Sequence, residues 1–186
     1  MRLFVALQIS EEIRAAIAAL GRELKPLDDS WKWARADNLH VTLKFLGEVP
    51  SDKLESIRQA LRGAPGEWPI EVKFSGLGFF PDERRPRVLW VGMKVPPSLR
   101  ALAAAIDAAL AKVGVSKEER EFTPHLTLAR NKAGNIAPKL REGLAKYLAR
   151  EFGVMNASAF HLIESKLKHT GPEYTTLESF SDVRDL

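Results

Sequence analysis

Apolar and polar positions repeat with two different periods along this chain, and the switches between them mark its elements. Residues 2–9 carry the apolar run Leu3-Phe4-Val5-Ala6-Leu7 and predict a strand. Ser10 then stands where a helix cap belongs, Glu11 and Glu12 suit the positive end of a helix dipole, and Ile13, Ile17, Leu20 and Leu24 form one apolar stripe that Pro26 ends. A strand over roughly 38–46 comes next, preceded by Trp31-Lys32-Trp33, whose indoles read as core. A helix capped by Ser51 places Leu54, Ile57 and Leu61 on one face and ends at Gly63. Strand character returns over 70–80, where Gly76 and Gly78 predict a bulge or a close backbone approach.

The loop Pro81-Asp82-Glu83-Arg84-Arg85-Pro86-Arg87 interrupts both periods, and the pattern then restarts. Val88-Leu89-Trp90-Val91 repeats the opening strand, and Pro96-Pro97-Ser98 begins a helix bearing Leu99, Leu102, Ile106, Leu110 and Val113, closed by Gly114. A strand over roughly 122–129 follows, then a helix with Leu140, Leu144, Leu148 and Phe152 ended by Gly153, then a strand near 157–167. Thr170-Gly171-Pro172 supplies turn chemistry for a final hairpin between Ser165-Lys166-Leu167 and Tyr174-Thr175-Thr176-Leu177. An offset of 85 takes Arg2 to Arg87 and His40 to His125, and one of 86 takes Lys53-Leu54 to Lys139-Leu140. The recurrence predicts one bilobal domain over 1–186, with pseudo-repeats at about 2–80 and 87–165 and a C-terminal hairpin at about 164–186. The expected class is α+β: two pseudo-twofold-related lobes, each a mostly antiparallel sheet with flanking helices. A doubly wound parallel sheet is the second reading.

Composition narrows the setting. With 186 residues, 45% of them hydrophobic and 28% charged, the chain suits an ordered, independently folding domain. It has no cysteine, which excludes disulfides, thiolate metal sites and a cysteine nucleophile and fits a cytoplasmic protein. Leu3–Leu7 is too short for a signal core, and no run approaches membrane-spanning length. A net charge of +4 tilts expectation toward a polyanionic partner.

The candidate chemistry lies in two echoing stretches, Leu39-His40-Val41-Thr42-Leu43 and Pro124-His125-Leu126-Thr127-Leu128. On a strand, residues two apart share a face, so each stretch sets an imidazole beside a hydroxyl while the flanking apolar residues point into a core. Two imidazoles on opposite sides of one phosphorus can run an in-line displacement, one accepting a proton and the other donating. Thr42, Thr127 and a guanidinium could hold the non-bridging oxygens. Arg130 is the candidate guanidinium, although five residues past His125 it faces away unless the strand ends or bends before it. Lys44, four past His40, falls on the motif face by simple alternation; its counterpart is Ala129. No close His-x-His, His-x-x-x-His or carboxylate set marks a metal site, and no glycine-rich nucleotide fingerprint or P-loop is present, so no cofactor is expected. His161 and His169 lack echoes and read as surface or packing residues.

At these residues the sequence resembles the 2H phosphoesterase superfamily, and within it the RNA 2′,3′-cyclic phosphodiesterases, also called 2′-5′ RNA ligases. The resemblance rests on Phe4-Val5-Ala6-Leu7, on Trp33 with Asn38 through Gly47, on Phe122 through Arg130, and on Glu164-Ser165-Lys166-Leu167 with Gly171-Pro172-Glu173-Tyr174. It implies a bilobal fold around a central cleft and hydrolysis of 2′,3′-cyclic phosphate RNA ends, including tRNA fragments, to 2′-phosphomonoesters. It further implies that His40 is the proton donor and His125 the proton acceptor, that Thr42 and Thr127 hold phosphate, and that a cytoplasmic monomer works without metal. Run in reverse, the arrangement would join a 5′-hydroxyl end in a 2′-5′ linkage. Two alternatives stay open: a superfamily member acting on a nucleotide-derived cyclic phosphate or 2′-5′ oligonucleotide, and a non-catalytic module that binds RNA ends.

Overall fold

Five apolar residues in a row cannot all face one side of a strand, so the stretch from Leu3 to Leu7 must be covered on both faces. The computed structural model, which describes residues 1–64, 66–169 and 171–181, makes it an inner strand with all five residues buried. The elements are β1 (Arg2–Gln8), α1 (Glu11–Leu24), β2 (Lys32–Trp33), β3 (His40–Glu48), α2 (Leu54–Arg62), β4 (Ile70–Phe80), β5 (Val88–Lys94), α3 (Pro97–Ala111), β6 (His125–Arg130), α4 (Pro138–Ala145), β7 (Glu151–Ala157), β8 (Ala159–Lys168) and β9 (Gly171–Ser181). They build two antiparallel sheets, ordered β3-β1-β8-β9 and β2-β6-β5-β4-β7. The α+β class expected from the pattern is therefore the observed one, and the parallel alternative is not. Each sheet mixes the two halves of the chain: β4 sits beside β5, and β8 beside β1.

Helices cover one face of each sheet. Ile13, Ile17, Leu20 and Leu24 of α1, with Leu140 and Leu144 of α4, pack toward β7 and its neighbours, while α2 and α3 bring Ile57, Leu61, Leu99, Leu102 and Ile106 against the sheet containing β1 and β3. Each such side chain contributes about 1.5–3 kcal/mol on burial. Ser10 caps α1 by accepting from the Ile13 amide at 3.4 Å. Ser51 does not cap its helix; it begins a 3-10 turn, Ser51–Lys53, without a side-chain cap bond. The stripe from Leu140 to Phe152 is two elements rather than one helix. α4 ends at Ala145, and Phe152 and Gly153 lie in β7, where Gly153 adopts φ +131, a backbone no helix contains. A side chain at Gly153 would also meet Ile13 of α1 at 2.9 Å. Of the hairpin turn, Thr170 lies outside the described residues, as do residues 182–186 of the C-terminal hairpin.

Both motif strands carry one extra residue at the same place. In β3, Val5 faces Lys44 and Ala6 faces Thr42, leaving Leu43 unpaired; in β6, Leu89 faces Ala129 and Trp90 faces Thr127, leaving Leu128 unpaired. This register matches Val5 with Leu89 and Ala6 with Trp90, an offset of 84 residues for these strands rather than 85. At each bulge two successive side chains turn inward: Leu43 and Lys44 are 7% and 5% exposed, Leu128 and Ala129 1% each. The expectation that Lys44 lies on the motif face is thereby overturned, because the bulge reverses parity before it.

Lys44 instead reaches α3 and the segment behind it. Its ammonium pairs with Asp107 Oδ1 at 2.7 Å and donates to the Ser116 carbonyl at 2.8 Å, and the Glu118 amide donates to the same Asp107 oxygen at 3.0 Å. Burial alone would raise the Asp107 carboxyl, but the hydrogen bonds from Lys44 and Glu118 and the charges of Lys44 and Lys117 outweigh it and hold the group below the usual carboxylate range. Because the folded carboxyl is the stronger acid, its contribution to stability is complete above about pH 4 and is lost as pH falls further. Asp107→Ala strands a buried ammonium and is expected to destabilise the fold by about 3 kcal/mol in denaturant titrations. Lys44→Met is expected to cost less, about 1–2 kcal/mol, because methionine refills the space.

Candidate active site

The sheets meet where β3 and β6 pass each other. On the faces turned away from the helices, the two motifs repeat one local arrangement. His40 Nδ1 lies 2.7 Å from the Asn38 carbonyl and His125 Nδ1 lies 2.8 Å from the Thr123 carbonyl. A carbonyl only accepts, so in both rings Nδ1 carries hydrogen, and in the neutral form Nε2 holds the lone pair. Strand geometry thus fixes the same tautomer twice. Each imidazole presents the atom that can take or give a proton away from its own backbone.

The two rings differ in their surroundings. His40 is half-buried against Phe4, with ring centroids 4.6 Å apart, and meets Tyr174 edge-on at 5.2 Å. Tyr174 arrives because the first part of β9 leans over this face: Asn38 Nδ2 donates to the Pro172 carbonyl at 2.7 Å, and Gln8 Nε2 donates to Thr176 Oγ1 at 3.2 Å. Burial pushes the His40 ring below the ordinary imidazole range; the Asn38 carbonyl opposes the shift, and positive charge on Arg130 and His125 adds to it. His125 meets Phe80 edge-on at 4.9 Å, and Phe80 in turn contacts Trp90 at 5.1 Å. Trp90 lies flat on Gly78, where a Cβ would come within 2.2 Å of the indole. That close approach is what Gly78 provides, while Gly76, with φ +72, sits at the β4 bulge.

Thr42 and Thr127 are half-buried on the motif faces, and among the described residues neither hydroxyl has a hydrogen-bond partner. Arg130 faces the motif side because the Leu128 bulge restores it to that side, and its charge is felt by both His40 and Tyr174. Burial raises the Tyr174 phenol, with Arg130 and Arg2 opposing. The equivalent position after the first bulge is Phe45, which packs on Phe4 with centroids 6.1 Å apart and stays 58% exposed. Lys44 does not join the site. His161 faces the same side as Thr42, both being partners of Ala6, and its Nδ1 is 2.8 Å from Ser179 Oγ; His169 lies in the exposed hairpin turn. Tyr174, Phe80 and Trp90 were not predicted as site residues. Phe80 and Trp90 follow from β5 pairing with β6 and β4 lying one strand beyond β5, which pattern alone does not reveal. Among the described residues, no group of three or more His, Asp or Glu side chains comes together in a metal-holding arrangement.

Known proteins resemble this chain over nearly its whole length. The profile of the family described as LigT like Phosphoesterase matches residues 7–90 and 92–174. An RNA 2′,3′-cyclic phosphodiesterase of Methanothermobacter thermautotrophicus is 35% identical, over 97% of this chain and 98% of its own length. One of the same name from Archaeoglobus fulgidus is 36% identical, over 97% and 99%. Among solved structures, a Thermus thermophilus protein superposes with a TM-score of 0.82 at 34% identity, covering 97% of each chain. Escherichia coli LigT complexed with 3′-AMP superposes with a TM-score of 0.77 at 28% identity, again covering 97% of each.

The electrostatics can be read without any assay of turnover. In a proton NMR titration, His40 is expected to titrate below the ordinary imidazole value of about 6.5, and Arg130→Gln is expected to move it upward. Saturating inorganic phosphate should raise it in the native protein, because an anion near the ring favours imidazolium. A His40 midpoint unmoved by both changes would contradict the proposed proximity.

Proposed function

The chain belongs to the LigT-like phosphoesterase family, and we propose that it is an RNA 2′,3′-cyclic phosphodiesterase that opens terminal cyclic phosphates to 2′-phosphomonoesters. The observation that carries this reading is the mirrored pair of Nδ1-to-carbonyl contacts, which leaves His40 Nε2 and His125 Nε2 free on the motif faces. In the forward step, water attacks phosphorus opposite the 3′ oxygen. The new P–O bond forms as the P–O3′ bond breaks, His125 Nε2 takes the water proton, and His40 Nε2 delivers one to the departing 3′ oxygen. The assignment of donor to His40 and acceptor to His125 is carried over from the family resemblance. Thr42 and Thr127 donate to the non-bridging oxygens, and Arg130 stabilises the charge that builds on them.

The lowered proton affinity of His40 bears on that assignment. Free His40 holds its proton weakly near neutral pH, whereas an anionic phosphate between the rings offsets the positive charge of Arg130 and His125 and restores the proton. Substrate binding and protonation of the donor are then coupled. With a 5′-hydroxyl in place of water, the same proton transfers would form a 2′-5′ linkage, with no nucleotide cofactor because the cyclic ester carries the needed energy. Exposed Phe45 beside Phe4 offers the terminal base a face to stack on. The reading takes the protein as a cytoplasmic monomer acting on RNA ends such as tRNA fragments; among the described residues no helix is long and apolar enough to cross a membrane.

His40→Ala and His125→Ala are each expected to lower kcat on an oligoribonucleotide with a 2′,3′-cyclic phosphate by about 10²–10⁴-fold with unchanged circular dichroism. Turnover near the native rate by either variant overturns the proposal. The native rate should survive EDTA. Its kcat/KM should trace a bell against pH, with the donor's alkaline limb lying at lower pH than the corresponding limb of kcat, since only bound substrate restores the His40 proton.

A further inference from the structure

Trp31-Lys32-Trp33 holds a cation where strand energetics disfavour one. Trp31 is 3% exposed and Trp33 packs against the same core, so alternation turns Lys32 outward, and it is exposed. In the register of β2 with β6, Lys32 lies directly opposite Arg130. Side chains so paired share a face, with Cβ atoms about 5 Å apart, and like charges in that position repel. No carboxylate relieves the repulsion: among the described residues, neither Lys32 nor Arg130 has an acidic partner within salt-bridge distance. The two cations left facing each other stand at the rim of the motif face, one strand apart, with Arg130 near enough to His40 to influence its charge.

We infer that Lys32 forms, with Arg130, a second anion subsite that takes the phosphodiester linking the terminal nucleotide to the one before it in single-stranded RNA. This rests on the function proposed above and extends it from the reacting phosphate to the chain behind it. Arg130 faces both phosphates, whereas Lys32, one strand farther out, faces only the second. A mononucleotide cyclic phosphate lacks that second anion. The subsite therefore selects polymer ends over free cyclic nucleotides.

The test compares a nucleoside 2′,3′-cyclic monophosphate with a trinucleotide ending in the same group, using native protein, Lys32→Gln and Lys32→Arg. Lys32→Gln is expected to lower the ratio of kcat/KM for trinucleotide over mononucleotide by about five- to tenfold at low salt, and Lys32→Arg to keep it. The slope of log affinity against log salt for the trinucleotide product should fall by about 0.7, one single-strand phosphate contact. The thermal midpoint of Lys32→Gln should stay level or rise, because a repulsion is removed. An unchanged ratio, an equal loss on both substrates, or a clear drop in the midpoint overturns the inference. If native protein turns over neither substrate, the proposed function fails, and binding of the trinucleotide product against a nucleoside 2′-phosphate still decides Lys32: a selective loss supports the subsite, equal affinity overturns it.

Discussion

Strict alternation along a strand is the constraint on which this molecule depends, and one interruption of it in each half decides what the site contains. Without a bulge, the residue four past each motif histidine would share its face and the residue five past would point into the core. The unpaired Leu43 and Leu128 exchange those fates. Lys44 goes inside and Phe45 comes out; Ala129 goes inside and Arg130 comes out. A single inserted residue thus changes which side chains a cleft can use, with no change in the motif itself.

The same backbone device is filled differently in the two halves. Alanine at 129 fits the inward position with nothing to satisfy, whereas lysine at 44 brings a charge that must be paired. Its partners, Asp107 on α3 and the Ser116 carbonyl, belong to the stretch that leads toward His125, and Glu118 is bound to the same carboxylate. Arg100 of α3 further donates to the Phe122 carbonyl at 2.8 Å, three residues before the second motif histidine. A buried ion pair next to one motif therefore fixes the approach of the chain to the other. Placement of two histidines far apart in sequence follows from packing as much as from either strand.

Much of this was legible in the chain because its information is local. The apolar stripe of α1, the proline start of α3, the paired motifs and the antiparallel architecture all follow from periods of 3.6 and 2 and from their recurrence. What was not legible depends on partners. A bulge is a property of two strands in register, so Lys44 was placed on the wrong face and Arg130 could be placed only conditionally. The stripe from Leu140 to Phe152 has helical spacing by accident of two adjoining elements, α4 ending at Ala145 and Phe152 belonging to β7. Tyr174 reaches His40 through the lean of β9, which no pattern within the hairpin announces.

The two imidazoles are equivalent in tautomer and unequal in setting, and that inequality is what a one-way proton path requires. If both rings were equally solvated, nothing in the protein would assign one to give and one to take. Phe4 and Tyr174 desolvate His40, and Arg130 and His125 set positive charge near it. In the empty site this favours the neutral ring, which looks unsuited to a donor. In the reaction proposed, the phosphate group would change the sum. Its charge would enter on the side of the threonine hydroxyls and Arg130, and in a low-dielectric setting a charge weighs more on a desolvated ring than on a solvated one. Burial that weakens the proton in the free protein would therefore also make the ring more responsive to the phosphate of the proposed reaction, and a resting neutral imidazole is compatible with a donor that is charged only when substrate is present.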